Sequence, residues 1–512
     1  MSYITRSLEK VVQQVTQEYP VVLVTGPRQV GKTTMLQKLM EGTSRGYVSL
    51  DDLNERALAK NDPELFLQLH KPPVLIDEVQ YAPELFTYIK VYADTHHEPG
   101  AFWLTGSQVF KLMHGVQESL AGRVAVLSMT SLSQSEINGA DTEPFRVDLD
   151  ALLKREEKAL PADTKGIFER IYRGSMPAIA SGKNTNSQIF YSSYLSTYIE
   201  RDVKELSDAI DALKFLRFMT AVAARCSQML NVSEIAQDAD INQKQAKDWL
   251  HILETLGIIF CLHPYSNNLL KRLVKTPKLY FYDTGLVCYL TKWSSAEVLE
   301  CGAMNGAILE NYVVSEIAKT YLNTGREPFL YYYRDKDAKE IDIVLEQDGV
   351  LNPIEIKKTS NPGTELTKVF SLLDKASVPR GKGAIVCIRR LAFVPPYFVF
   401  CSISFRCGGL SIERNQKPLA PKITLVATHH DRQKQVEVKR SSCVNPHEIR
   451  LFSGCPYYFT LPMDGNHHPF AKHLRQPCKE RRSFGMDVHH IVFSKCTVKC
   501  CKSRGAYRCQ TP

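Results

Sequence analysis

The chain has 512 residues, 44% hydrophobic and 23% charged, which is the composition of a soluble protein with room for several separately cored domains. No run approaches the roughly 18 apolar residues of a membrane span, and the charged start (Arg6, Glu9, Lys10) lacks the apolar stretch of a secretory signal, so a cytoplasmic protein with no membrane partner is expected. The net charge of +9 is no nucleic-acid footprint for the whole chain: residues 391–512 hold 19 Lys+Arg against 7 Asp+Glu, which leaves 45 against 48 before them.

Residues 21–24 (VVLV) are a continuous apolar, β-branched run, as in a strand buried on both faces of a parallel sheet. Gly26-Pro27-Arg28-Gln29-Val30-Gly31-Lys32-Thr33 follows, then Thr34 and helical spacing at Met35, Leu36, Leu39 and Met40. This is G-x-x-x-x-G-K-T between a strand and a helix, and it predicts a site for ATP with Mg2+. The two glycines let the backbone curl until successive N–H groups face phosphate, and the helix adds its positive end. Lys32 is expected on the β- and γ-phosphates and the Thr33 hydroxyl on Mg2+.

A second buried run, residues 74–76, ends in Asp77-Glu78, where ligands gather at the carboxyl edge of open α/β sheets. Asp77 is the expected Mg2+ partner, directly or through water, and Glu78 the group that polarises an attacking water. The strand at 102–104 leads to Thr105-Gly106-Ser107-Gln108, with Ser107 a candidate sensor of the γ-phosphate. Arg123 has two readings. One is a charge offered in trans to a transition state, which requires a homo-oligomer; the other is an ordinary salt bridge.

The segments GPRQVGKTT (26–34), LIDEVQYAPELF (75–86), TGSQ (105–108) and SLAGR (119–123) resemble a family of prokaryotic AAA-superfamily ATPases with a C-terminal domain of unknown function. The resemblance continues through YLSTYIERDV (194–203) and reaches about residue 388. It implies an ATPase, and it implies that 191–206 lies against the ATPase domain. Arg201 then senses nucleotide or makes a salt bridge within its own helix.

Asn231 begins a short helix, a turn near 240–242 follows, and a second helix runs from Gln243 to Leu256 with apolar residues at Ala246, Trp249, Leu250, Leu253 and Leu256. A strand at 258–262, a loop with Lys271, Arg272 and Lys275, and a strand at 278–282 complete a winged-helix pattern. Gln243, Lys244, Gln245, Lys247 and Asp248 would meet DNA, or form the polar face of a module that binds a protein partner.

Residues 307–321 read as an amphipathic helix carrying Glu310. A strand with Asp342, a turn at Gln347-Asp348-Gly349 and a returning strand with Glu355-Ile356-Lys357 come next. Residues two apart share a strand face. Asp342, Glu355, Lys357 and Glu310 resemble the layout of a PD-(D/E)XK nuclease, the alternative being an ordinary hairpin with alternating polar residues. Asp342 and Glu355 would hold a second Mg2+, Lys357 would orient water, and Glu310 would support the metal or its water. Pro353 in the returning strand is read as an edge or bulge marker.

The expected fold class is α/β, with a parallel-sheet P-loop ATPase domain (1–140), a helical connector (141–215), a winged-helix-like domain (216–292) and an α/β nuclease-like domain (293–390). Residues 391–512 hold nine of 14 Cys and eight of 14 His. Cys496, Cys500, Cys501, Cys509, His489 and His490 form no C-x-x-C pair. This tail is read as irregular and foreign to the rest rather than as a zinc module. Cleavage by the nuclease-like site is left open beside a switch or scaffold that binds DNA or protein without cutting.

Overall fold

A computed structural model of the chain describes residues 3–106, 119–158, 162–184, 186–198, 211–268, 272, 275–359, 362–391, 394–403, 435–438, 489–493, 496–503 and 506–510. Residues 1–390 with 396–405 form one compact unit, and 391–395 with 406–512 a second.

The first unit begins with α1 (Leu8–Thr16) and a wound sheet. Strands β1 (Val21–Thr25), β2 (Gly46–Ser49), β3 (Val74–Asp77), β4 (Phe102–Thr105) and β5 (Val124–Ser128) lie in the order β2-β3-β4-β1-β5, all parallel. Every residue of β1 is buried because both sheet faces are covered. Val21, Leu23, Ile76 and Leu104 pack with Phe66, Phe86 and Ile89. Those partners come from α4 (Pro63–Leu69) and α5 (Leu85–His96); α2 (Lys32–Met40) and α3 (Leu53–Asn61) precede them in the chain. The alternate residues Val22, Val24, Leu75 and Trp103 face Leu8, Val12, Met35 and Leu36 of α1 and α2. The period of two along each strand thus divides the core into two layers.

Five helices follow: α6 (Gln134–Ile137), α7 (Leu149–Lys158), α8 (Thr164–Arg173), α9 (Pro177–Ala180) and α10 (Ser187–Tyr198). Next come α11 (Ala212–Ala223), α12 (Val232–Asp238) and α13 (Gln243–Thr255), then an antiparallel pair, β6 (Ile259–Leu262) and β7 (Lys278–Phe281). Asn231 and Asn242 cap α12 and α13 by accepting N–H groups from Glu234 and Gln245, which fixes the turn between them. Trp249 of α13 sets its ring edge-on to Phe215 and Phe218 of α11, at 5.1 and 5.2 Å between centroids.

After α14 (Thr284–Leu290) and α15 (Ala296–Cys301) comes the long helix α16 (Asn305–Leu322), buried over most of its length. A second five-stranded sheet is ordered β12-β11-β10-β9-β8, built from β8 (Leu330–Arg334), β9 (Glu340–Gln347), β10 (Val350–Lys357), β11 (Gly383–Leu391) and β12 (Val394–Ile403). The pairs β8–β9 and β9–β10 are antiparallel, and β10–β11 is parallel, reached through a 3-10 segment, Thr364–Lys375. Asp348 and Gly349 both adopt positive φ (52° and 75°), as a two-residue hairpin turn requires.

Pro353 corrects half of one expectation. Its strand is interior, between β9 and β11, and not an edge, and the β9–β10 register runs unbroken through it. On the other side the register slips by one residue across Pro353, from Leu351 opposite Arg380 to Ile354 opposite Ala384, and the missing N–H falls in that irregularity.

The largest hydrophobic cluster runs from Leu8 through Phe168, Trp249 and Val314 to Ile388, so the first unit shares one main core, with smaller clusters on the other faces of the two sheets. In the second unit the described strands are β13 (Gln435–Val438), β14 (His489–Phe493), β15 (Cys496–Ser503) and β16 (Ala506–Gln510), in the antiparallel order β13-β16-β15-β14. The side chains of the Cys and His residues considered for zinc lie outside what is described there.

Candidate nucleotide and carboxylate sites

The loop from Gly26 to Gly31 joins β1 to the first turn of α2. Gly26 has φ 134°, and a Cβ there would fall 2.1 Å from the Met129 carbonyl oxygen, so no other residue fits. Gly31 has φ 92° and caps α2, which turns the helix N–H groups into the loop. Lys32 arches back, its ammonium donating to the carbonyls of Gly26 (2.9 Å) and Pro27 (2.8 Å). Pro27 and Val30 are buried and hold the loop's inner side, while Arg28 is half-buried and Gln29 and Thr34 are exposed.

Three hydroxyls meet Asp77 at the end of β3. Thr33 donates to its Oδ1 at 2.8 Å, Thr105 to the same oxygen at 3.0 Å, and Tyr47 to Oδ2 at 3.4 Å. Burial raises the Asp77 carboxyl above its usual range and Glu78 adds to this, while the three hydroxyls pull it back. Glu78 follows with φ 56°, and Gln80 donates its amide to the Glu78 carboxylate. The Gln80 carbonyl oxygen is buried without a partner. Beside the loop lies an open cavity of about 880 Å³. Gly31, Thr34, Tyr3 and Ile4 line it, together with Phe190 and Tyr194 of α10.

Of the remaining expected residues, one is described and stands apart from this cluster. Ser107 lies outside the described residues, as does Arg201 of the helical middle. Arg123 stands at the start of β5, its carbonyl accepting the Val21 N–H, and so at the opposite end of the sheet from the loop of its own chain. Its guanidinium pairs with Asp94 of α5, with Nη2 to Oδ2 at 3.0 Å.

The second cluster lies on the other sheet. Lys357 sits between Asp342 and Glu355, at 3.2 and 2.6 Å, and Asp342 also accepts the Ile356 N–H at 2.8 Å. Burial and the nearby Asp342 charge push the Glu355 carboxyl up to about 7, against the pull of Lys357. Its Oε2 is buried with no hydrogen-bond partner. Glu310 belongs to a neighbouring network that the sequence did not reveal. Lys278 of β7 bridges Glu310 (3.0 Å) and Glu340 (2.5 Å), and the Tyr280 hydroxyl donates to Glu310 at 2.7 Å. Burial raises the Glu310 carboxyl, opposed by Lys278 and reinforced by Asp342. For Lys278, burial favours the neutral form, but Glu310 and Glu340 outweigh it and keep the amine charged. The missed signal was Lys278-x-Tyr280, the same two-residue spacing that marks Glu355-x-Lys357. Among the described residues no three His, Cys, Asp or Glu side chains already stand at metal-ligand spacing.

On α13, Gln243, Lys244, Lys247 and Asp248 are exposed and Gln245 is half-buried. The loop between β6 and β7 is less basic at its surface than expected. Lys271 is outside the described residues and Lys275 is exposed, but Arg272 is 8% exposed. It pairs with Glu346 at 3.0 Å and lies over the rings of Tyr265 and Tyr331. That arginine fastens the loop to β9 and offers no free charge.

A wound parallel sheet, a glycine loop opening a helix, and a hydroxyl and carboxylate paired beneath it are the parts of a P-loop nucleotide fold. Residues 18–138 match a family model described as an AAA domain. Residues 164–297 and 305–394 match two domains of unknown function, DUF8612 and DUF4143. The uncharacterized protein Rv2008c of Mycobacterium tuberculosis is 30% identical over 357 residues, 69% of this chain and 74% of its own. Mb2031c of Mycobacterium bovis matches to the same extent. The chain belongs to the family of these mycobacterial proteins. Among solved structures, the Walker-type ATPase of Pyrococcus abyssi aligns over 55% of this chain and 94% of its own, at 14% identity and a TM-score of 0.37. No described helix is long and apolar enough to cross a membrane.

Proposed function

We propose that the chain binds ATP with Mg2+ at Gly26–Thr34 and hydrolyses it, and that hydrolysis acts on a nuclease-like, DNA-contacting second half. The observation that carries the ATPase reading is Thr33 and Asp77, 2.8 Å apart at the carboxyl edge of the sheet. A hydroxyl and a carboxylate held together by hard oxygens suit Mg2+, which would offset charge developing on the transferred phosphoryl group. Lys32 and the N–H groups of the loop and α2 hold the phosphates. Glu78, with Gln80 on its carboxylate, orients water toward them. The cavity beside Thr34 has room for the nucleoside. Steady-state turnover of ATP tests this: Glu78→Gln should lose turnover yet keep ATP binding, and a variant with normal turnover contradicts the assignment.

For the second half, the element order α16-β8-β9-β10-3-10 segment-β11 and the contact of Asp342, Glu355 and Lys357 support a PD-(D/E)XK-like core. The unpartnered Oε2 of Glu355 is an acceptor that a divalent cation would satisfy. Helices α11, α12 and α13 with the β6–β7 pair support a winged helix, whose exposed α13 start would meet a phosphate backbone. A specific observation favours a second reading, a nucleotide-dependent switch that binds DNA or a protein without cutting. Lys357 already pairs with both carboxylates, and Lys278 with Tyr280 occupies Glu310. Incubation with supercoiled plasmid and Mg2+ or Mn2+ separates them: nicking lost in Asp342→Ala supports cleavage, and no nicking by the wild type supports the switch.

A further inference from the structure

Arg6 lies before α1, remote in sequence from the phosphate loop, and is 3% exposed. Its guanidinium donates in three directions: Nη1 to the Val30 carbonyl at 2.9 Å, Nη2 to the Thr130 carbonyl at 2.9 Å, and Nε to Glu136 at 3.0 Å. Glu136 is fully buried at its side chain and accepts further N–H groups from Ser7 (2.9 Å) and Ser133 (2.8 Å). Both charges are thus paired and hydrogen-bonded, the condition under which a buried ion pair is tolerated.

We propose that Arg6 is a positioning residue of the nucleotide site, one that sets the direction of the Gly31 N–H. The peptide between Val30 and Gly31 is planar and trans, so its C=O and N–H point in opposite directions. Holding the Val30 oxygen toward Arg6 turns the Gly31 N–H outward, to the side where the phosphates would lie. The same guanidinium fixes Thr130, next to the Met129 carbonyl that packs on Gly26. Both ends of the loop are therefore braced by one side chain. Lysine would keep the charge beside Glu136, but it lacks the rigid planar fork that reaches two separate carbonyls while pairing with a carboxylate.

The proposal rests on the reading of Gly26–Thr34 as an ATP site. Titration calorimetry with ATP and Mg2+, together with ATP turnover, compares wild type and Arg6→Lys. The expected result is a weaker Kd and a higher KM by about tenfold, with kcat changed by no more than about twofold. Wild-type Kd and KM in Arg6→Lys overturn the proposal. If Arg6→Lys fails to fold, Arg6→Gln with Glu136→Gln removes both charges together and is read the same way. Hydrogen exchange supplies a readout independent of nucleotide. The Gly31, Lys32 and Thr33 amides should exchange faster in the variant while β1 keeps its protection, and unchanged exchange overturns the proposal. Failure of the wild type to bind ATP would sink the nucleotide reading itself, and the exchange result would still decide the role of Arg6.

Discussion

Three hydroxyls converge on the Asp77 carboxylate, which is buried yet supplied with donors it would exchange for a metal. Glu78 is the neighbouring carboxylate that is only partly buried, and on the proposed reading the two divide the work: Asp77 would hold the ion and Glu78 would address water. Glu78→Gln should lower ATP turnover by about 10²–10⁴-fold, the range for loss of a general base, and leave ATP affinity within about twofold. Chelating Mg2+ with EDTA should weaken ATP binding in the wild type and do so less in Asp77→Asn. Glu355 supplies a prediction about pH. Its carboxyl stands near 7 in the fold, above the ordinary carboxylate value, so between those two values the folded chain binds more protons than the unfolded one. Its contribution to stability is therefore complete in acid and is lost as the pH rises through 7. In EDTA, Glu355→Gln should flatten the fall in thermal stability from about pH 5 to pH 8, and an unaltered pH slope contradicts the assignment. Most of the loop was legible because its contacts are local: two glycines, a lysine and a threonine within eight positions. Arg6 and Glu136 were not, because nothing in either neighbourhood marks a pair 130 residues apart. Arg272 misled because sequence shows a charge and not its burial.

At the scale of elements, the phosphate loop touches the turn that ends α13. Gly257 has φ 68°, and a Cβ there would stand 3.2 Å from Pro27 Cδ. Substituting alanine combines a left-handed backbone with pressure on the loop. Gly257→Ala should cost about 1–2 kcal/mol in a denaturation curve and also weaken ATP binding, though the residue touches no part of the expected ligand position. Normal affinity in a destabilised variant would mean that this contact is structural only. Strands β1, β3 and β4 could be read from apolar runs, and α13 from its helical spacing, since burial on two faces or one stripe leaves a periodic trace. The environment of Pro353 could not, because its strand's place in the sheet depends on β11, whose ladder starts at Ile354. Lys278 and Tyr280 went unnoticed for a similar reason: their partner Glu310 lies on α16, a separate element.

Across the whole molecule, one apolar cluster links the ATPase sheet to the second sheet. Val22, Val24, Leu75 and Trp103 share it with Phe168, Trp249 and Ile388, so the first 140 residues cannot close that face alone. A fragment ending at residue 140 should bind an apolar dye and aggregate, whereas a chain ending at residue 405 should keep the ATP affinity of the full chain. Monodisperse, dye-free behaviour of the short fragment would contradict a shared core. Such sharing suits a protein in which nucleotide at one sheet biases the pose of the other. The central claim remains the occupation of the loop at Gly26–Thr34 by ATP with Mg2+. Titration calorimetry of ATP and Mg2+ into the full chain and into Lys32→Ala tests it most directly. Saturable binding by the wild type, weakened by at least about tenfold in the variant, is the predicted result; equal affinity in the two, or none in either, would contradict it.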